Sequence, residues 1–296
     1  MSAVARTRAV VADRPASSLV VPLLLFDLLA FVVPFGLLLR ISLSDRLPAQ
    51  AYAEGTWSTA GYRYLVDPSN TLTSVLGFTL AFAVVVTALS VLIATLYAHA
   101  MWRADGAVRA ILIAGALVSM FTAIVVKLFA AILVFSPQGV LNTALVGSGL
   151  ISEPLRLVNN MTGAVIGQLY IVVPYSILAV YSVLSTVDES LIEAARDLGA
   201  GGPRAFREVV VPHAVPGMLV AGVISFTWSV GSYAAPLLLG SGSERTAGIA
   251  VSDLLLREFD WPAAAALAVV VTLSVVVGLV ATSIVLGRSG VSAGDQ

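Results

Sequence analysis

The chain has 296 residues, of which 58% are hydrophobic and 11% charged, and its 16 basic and 17 acidic side chains leave a net charge of −1. This composition excludes a disordered segment, and the lack of a basic excess excludes a nucleic-acid-binding protein. A water-soluble domain needs more polar surface than this, so the composition predicts an integral membrane protein. The absence of Cys and the presence of only two His exclude thiolate chemistry and a metal site built from these residues.

Six apolar runs are each long enough to cross a bilayer, which takes about 20 residues in a helix. They lie at residues 19–39, 72–98, 108–135, 164–184, 218–239 and 263–286. None alternates with a period of two, and backbone groups inside a bilayer need internal hydrogen bonds, so the runs are predicted helices. The sequence therefore predicts an all-α integral membrane protein with six transmembrane helices and short tails at residues 1–18 and 287–296.

The first run follows Arg6, Arg8 and Arg14, as the apolar part of a signal peptide would. It is longer than the roughly 7–15 apolar residues of a signal peptide, and no small-residue cleavage site follows Leu39. We therefore predict a retained first span. The basic tail before it predicts, by the positive-inside rule, that both termini and the loop at residues 185–217 are cytoplasmic.

The loop at residues 185–217 has the pattern of ordered helices rather than of a tether. Thr186 and Glu189 have the spacing of a capping box, in which each side chain bonds a backbone amide at the start of a helix. An apolar stripe follows at helical spacing: Leu191, Ala194, Ala195 and Leu198. A helix on the membrane surface usually has a basic polar face, whereas this polar face is mainly acidic. A docking element for a cytoplasmic protein fits the pattern better, with a surface helix as the alternative.

Glycine and proline predict the rest of this loop. Gly199 is placed to end the helix in a left-handed conformation. Pro203 stands at the first turn of a second short helix, where no amide donor is needed, and Pro212 and Pro216 are expected to end that helix before the next span.

Within this loop, Glu193-Ala194-Ala195 is followed by Gly199 and by Val209-x-Val211-Pro212. This pattern resembles the EAA loop of permease subunits of ATP-binding-cassette importers, in which Ile and Leu precede the proline. Other segments are similar to the spermidine/putrescine-type branch of that family: Gln138–Asn142, Tyr170–Tyr175, Pro216-Gly217, Ser229–Tyr233, Leu237–Gly240 and Asp260–Pro262. The resemblance covers roughly residues 72–286, so that residues 19–286 would form one permease domain.

The resemblance implies a multi-pass protein of the bacterial inner membrane, surrounded by lipid and without a nucleic-acid partner. Two permease subunits, here two different ones, would form the path, and two ATPase subunits would bind ATP and Mg²⁺, leaving this chain without a cofactor or a catalytic site. A solute-binding protein would deliver a small organic solute, polyamine-like or related, with iron(III), an opine or another organic solute as alternatives.

The residues that the resemblance assigns to ATPase coupling are Glu193, Ala194, Ala195, Asp197, Leu198, Gly199 and Pro212. Glu193 has an alternative role, a weak pair with Arg196 three residues on, worth about 0.2–0.5 kcal/mol.

Polar and aromatic side chains inside the predicted spans are candidates for the solute path. An ionisable residue in a membrane is costly, by about 2.5 kcal/mol or more, and suggests a function. The candidates are Asp27, Lys127, Tyr170, Tyr175, Trp228, Ser232 and Tyr233. Lys127 is the only lysine, and it either borders the path or extends to the outer interface. Trp228, Ser232 and Tyr233 are expected on one helix face, where aromatic rings either contact a cationic solute or pack between helices.

Two other classes of function remain as alternatives. An ion-coupled secondary transporter would carry several intramembrane carboxylates or two corresponding broken helices, and an intramembrane enzyme would carry a motif such as H-E-x-x-H. The sequence has Asp27 as the single carboxylate inside a predicted span and lacks both that motif and an ATP-binding G-x-x-x-x-G-K-[ST] loop. The resemblance to the EAA loop therefore favours the importer permease.

Overall fold

The computed structural model describes residues 17–288 except 48, 49 and 189. The predictions for Arg6, Arg8, Arg14, Glu189 and residues 289–296 lie outside this range. The described chain is all-α, and we number its helices in chain order. They are α1 (Ser17–Ser42), α2 (Ala60–Leu65), α3 (Leu72–Arg103), α4 (Gly106–Phe121), α5 (Ile124–Phe135), α6 (Val140–Gly147), α7 (Met161–Leu184), α8 (Ser190–Asp197), α9 (Gly202–Ala205), α10 (Val211–Val230), α11 (Ala234–Leu239), α12 (Ala247–Leu256) and α13 (Trp261–Arg288).

Six helical stretches in the described part of the chain are long and apolar enough to cross a membrane. They are Val20–Ser42, Leu72–Arg103, Ile124–Gly147, Met161–Leu184, Gly202–Val230 and Trp261–Val280. The predicted class, an all-α membrane protein with six spans, is confirmed.

The third predicted span is not one helix. The prediction took residues 108–135 as continuous, whereas Thr122 and Ala123 are extended, with ψ of 133° and 139°, and separate α4 from α5. The Thr122 hydroxyl donates to the carbonyl of Val118 at 2.6 Å, a bond that Thr79 and Thr95 also make inside the continuous helix α3, so this bond does not by itself end α4. Ala116 of α4 and Leu128 of α5 belong to different core clusters, so the interruption lets each half pack separately.

The fifth predicted span also has different limits. Helix α10 ends at Val230, and Gly231, Ser232 and Tyr233 separate it from α11, so residues 218–239 are not one helix. Tertiary hydrogen bonds hold this interruption. The Ser232 hydroxyl donates to Gln168 at 2.7 Å, and the Thr246 hydroxyl donates to the Ser232 carbonyl at 2.6 Å. These bonds satisfy the hydroxyl and the carbonyl of Ser232, which lie between the two helices and have no partner within either one.

The centre of the bundle is formed by α3, α7 and α10, which pack against one another. Ser90, Ser176 and Ser225, one from each helix, are fully buried and form a closed ring of hydroxyls with oxygen–oxygen distances of 2.8–2.9 Å. Because each hydroxyl can both donate and accept, the ring satisfies three polar groups without water and ties the three helices together.

The two ends of the bundle differ in what they hold. At the α8 end, one buried cluster contains Trp102, Leu184, Ile192, Val210 and Ala214, so the last turn of α3 and the segment from α8 to α10 lie together. The other end, which we call the α2 end, joins the loops that follow α1 and α12. There Arg46 pairs with Asp260 at 3.2 Å and donates to the Glu258 carbonyl at 2.7 Å.

Candidate functional site

The first candidate region is the segment that contains α8. Its first turn is capped by Asp188, whose Oδ1 accepts from the Ser190 amide at 2.9 Å. Hydrogen bonds from Ser190 lower the pKa of Asp188. The predicted capping role of Thr186 is wrong, because its hydroxyl donates back to the Val183 carbonyl at 2.8 Å and Thr186 thus belongs to the turn that ends α7.

Helix α8 is attached to the bundle by a residue that the sequence analysis did not select. Ile192 is 3% exposed and packs into the cluster with Trp102, Leu184 and Val210. The predicted apolar stripe points elsewhere, since Leu191 and Ala194 are exposed and Leu198 is 89% exposed. The sequence does contain a signal for Ile192. Ile192, Ala195 and Gly199 also follow helical spacing and form a second stripe beside the predicted one.

The exposed surface of α8 combines apolar and acidic groups. Glu193 and Asp197 are exposed on the same helix as Leu191, and Leu198 is exposed directly after the end of that helix. We call the exposed side chains of these four residues, together with Ala194, the α8 surface. Ala195 is partly buried between this surface and the bundle.

The chain leaves α8 through a left-handed glycine, as predicted. Gly199 has φ +85°, and the Ala200 amide closes the turn by donating to the Ala195 carbonyl at 3.0 Å. The second short helix, α9, begins at Gly202 with Pro203 in its first turn, also as predicted.

The predicted end of that second helix is wrong. Phe206–Val210 forms a π-turn that connects α9 directly to α10, and the helix continues through both Pro212 and Pro216. A proline inside an α-helix clashes with the carbonyl four residues before it. Directly before Pro212 the turn is wider, because the Val211 amide donates to the Phe206 carbonyl five residues before it rather than four. This wider π-turn relieves the clash at Pro212.

The second candidate region lies around the two interrupted helices. Gly167 of α7 permits their close approach, because a Cβ at this position would lie 3.2 Å from Ala235 of α11 and 3.2 Å from Leu128 of α5. Lys127 precedes Leu128, is 2% exposed, and places its Nζ 5.9 Å from the centroid of the Tyr170 ring. The structure thus brings Lys127 and Tyr170 together where α5, α7 and α11 meet.

The other predicted path residues fall into separate places. Trp228 of α10 stacks on Tyr175 of α7, with ring centroids 5.8 Å apart. Ser232 is buried against Gln168, and Tyr233 borders a pocket of about 500 Å³ at the α2 end that also contains Arg245. The expectation that Trp228, Ser232 and Tyr233 share one helix face is therefore wrong, because the helix ends at Val230 and the chain turns before Tyr233.

Asp27 is not part of this region. It is exposed on α1, which packs against α13, and it forms no ion pair with any residue in the described ranges. Among the same residues, no cluster of three His, Asp or Glu side chains has the arrangement of a metal site.

Comparisons with known proteins agree with this architecture. Residues 89–287 match the family described as binding-protein-dependent transport system inner membrane component. The spermidine/putrescine transport system permease protein PotB of Haemophilus influenzae is 26% identical over 251 residues, which is 84% of this chain and 87% of that protein. The inner membrane ABC transporter permease protein YdcU of Escherichia coli is 31% identical over 195 residues, 61% of each chain.

The fold is shared with a solved structure. The chain is similar to a bacterial alginate ABC transporter solved in complex with a periplasmic protein bound to an alginate pentasaccharide, with a TM-score of 0.74, 14% identity, and coverage of 94% of this chain and 96% of the other. The family match spans more than half of the chain, and the helices are arranged as in an importer permease. The chain therefore belongs to the binding-protein-dependent transport system inner membrane component family and is a permease subunit of an ATP-binding-cassette importer.

Proposed function

We propose that this permease pairs with a second, different permease subunit and that two ATPase subunits dock on the α8 surface of the pair. The observation that carries this proposal is the division of α8 into two faces. Ile192 fixes the helix to the bundle, while Leu198, 89% exposed, lies next to exposed carboxylates. An exposed apolar patch such as Leu191, Ala194 and Leu198, with charged side chains at its rim, is typical of a surface that a partner protein covers.

All of the predicted coupling residues except the partly buried Ala195 have a direct role in this arrangement. Leu198 and Ala194 enter an apolar groove of the ATPase, and Glu193 and Asp197 supply charged contacts at its edge. Gly199 gives the sharp turn after the helix, and Pro212 follows the π-turn through which movement of α8 reaches α10. ATP and Mg²⁺ bind to the ATPase, so this chain takes no cofactor and catalyses no reaction.

The α8 end lies in the cytoplasm in this proposal, with both termini on the same side of a bacterial inner membrane. The basic tail of the sequence supports this orientation. The α2 end then faces the extracytoplasmic solute-binding protein, and the α2-end pocket with Tyr233 and Arg245 lies on that side.

Transport follows from alternating access. ATP closes the two ATPases, the docked α8 helices move with them, and the path changes from inward-open to outward-open because ATP binds one global state better than the other. Tyr170, Tyr175, Trp228 and Lys127 border the path, and the solute is a small organic molecule. The named solutes of the relatives, spermidine and putrescine in one case and alginate in another, have opposite charges, so the relatives leave the charge of this solute open.

The experiment is purification of the permease, expressed together with its second permease and ATPase, in two matched variants. Leu198→Asp places a charge on the α8 surface, and Leu256→Asp places one on a side chain that is 80% exposed at the α2 end. We expect Leu198→Asp to lose the ATPase and Leu256→Asp to retain it. Equal retention of the ATPase by both variants would overturn the docking proposal, and uptake without ATP would support an ion-coupled transporter instead.

A further inference from the structure

Lys127 is an unusual residue for the inside of a membrane protein. It is the only lysine of the chain, it is 2% exposed, and it lies in the first turn of α5, directly after the helix interruption at Thr122 and Ala123. A buried cation is strongly unfavourable unless an opposite charge or several acceptors compensate it. Its retention at this depth therefore suggests a counter-charge.

The described part of the chain does not supply that counter-charge. The contact of the ammonium group is the ring of Tyr170, at 5.9 Å, and a cation–π contact is worth only about 0.5–2 kcal/mol. Two partly buried carboxylates of the α2 end are already engaged with arginines. Asp253 pairs with two arginines at 2.7 Å and 3.1 Å, and Asp260 pairs with Arg46. No carboxylate in the described ranges forms an ion pair with Lys127.

A groove lies beside Tyr170, the residue whose ring Lys127 contacts, whereas Lys127 itself is 2% exposed and is not among the residues that line this groove. Tyr170 is 41% exposed and lines a groove of about 510 Å³ between α4, α5 and α7. Ala130, one turn after Lys127 on α5, lines the same groove. The groove is mostly apolar, with Ser119 and Tyr97 as further polar residues, and apolar surroundings weaken the screening of a nearby charge. An anionic group beside the groove face of Tyr170 would lie close to the positive charge of Lys127, whose ammonium group is 5.9 Å from the centroid of that ring.

We propose that Lys127 binds a carboxylate of the transported solute, so that the importer moves an organic acid or an amino-acid-like molecule rather than a bare polyamine. This proposal rests on the proposed function, in which the region around Tyr170 borders the path. The carboxylate pairs with the Lys127 ammonium group, and the carbon chain of the solute lies against the Tyr170 ring. A polyamine without a carboxylate is repelled at the same position.

The absence of cysteine from the chain allows a direct test of the local charge. Ala130→Cys provides a single reactive thiol in the groove, and the assembled importer is treated with methanethiosulfonates carrying a sulfonate or a trimethylammonium group. We expect the anionic reagent to react faster. Adding Lys127→Gln should lower the ratio of anionic to cationic rates by about tenfold, which corresponds to about 1.4 kcal/mol, and Lys127→Arg should preserve the ratio.

The control is the ATPase, which must remain bound in every variant. An unchanged ratio in Lys127→Gln, with the ATPase bound, overturns the proposal and indicates that another subunit neutralises the lysine. Loss of the ATPase from the parent Ala130→Cys importer would instead count against the proposed function. A second measurement identifies the solute released from the importer's binding protein by mass spectrometry. A carboxylate-bearing compound supports the proposal, and a compound with amines alone overturns it.

Discussion

Among the α8 side chains that the structure describes, Ile192 is the one that is buried, and this attachment gives a quantitative prediction. Helix α8 has eight residues, fewer than the roughly 12–15 that an isolated helix needs for marginal stability, so its position depends on packing. Ile192 supplies that packing and is 3% exposed. Truncation of a buried Ile to Ala costs about 2–5 kcal/mol. We therefore expect Ile192→Ala to raise the population of detached α8 by a factor of about 30 or more, since about 1.4 kcal/mol is tenfold.

Hydrogen exchange of the α8 amides, measured by mass spectrometry on the permease in nanodiscs, reports this population. Leu191→Ala is the matched control, because Leu191 is the adjacent residue on the same helix and is exposed. We expect its exchange rates to stay within about threefold of the wild type, as for most surface substitutions. The reasoning would be refuted if both variants exchanged at the same rate, or if Ile192→Ala left exchange unchanged.

Three further predictions concern single positions. Gly199→Ala should destabilise the turn after α8 by about 1–2 kcal/mol, because φ is +85° there, whereas Gly201→Ala, at φ −65° and with no atom within 4 Å, should have little effect in the same exchange measurement. Ser176→Ala opens the hydroxyl ring and should lower the free energy of unfolding by about 1–3 kcal/mol, measured by thermal unfolding in detergent; an unchanged midpoint would contradict a structural role for the ring. The pKa of Asp188 lies below its ordinary value of 3.8, so its stabilisation of α8 should be complete above that pH and should decline as the pH falls further. Asp188→Asn should remove this acid dependence of α8 exchange.

The class of the fold follows from the sequence because apolar run length alone decides it. The helix interruptions do not, because tertiary contacts cause them. The interruption consists of Thr122 and Ala123, so no glycine or proline marks it in the sequence. The separation of α4 from α5 reflects packing onto two different clusters. At Pro212 the prediction placed a helix end where the structure has none. A proline is expected to end a helix, but the π-turn before Pro212 removes the clash between the proline ring and the preceding turn.

The parts of the candidate site that depend on local sequence could be predicted, and the parts that depend on tertiary packing could not. The local spacing around Gly199 specified its left-handed turn. It could not decide which of two adjacent stripes on α8 faces the bundle, because Leu191 and Ile192 have similar hydrophobicity and the direction of the helix is set by the turns before and after it. The grouping of Lys127 with Tyr170 needed the fold as well, since these residues lie on different helices.

The π-turn at Phe206–Val210 gives the segment from Gly202 to Val230 a mechanical property that an uninterrupted α-helix lacks. A π-turn holds one residue more than an α-helical turn, and conversion between the two rotates everything beyond it by about 100°, the angle per residue of an α-helix. The segment can therefore change the rotation of α10 relative to α8 at a defined place near its α8 end. Because Ser225 lies on α10 beyond the π-turn, such a rotation would open the serine ring, so the ring resists the torsion that a movement of α8 applies to α10.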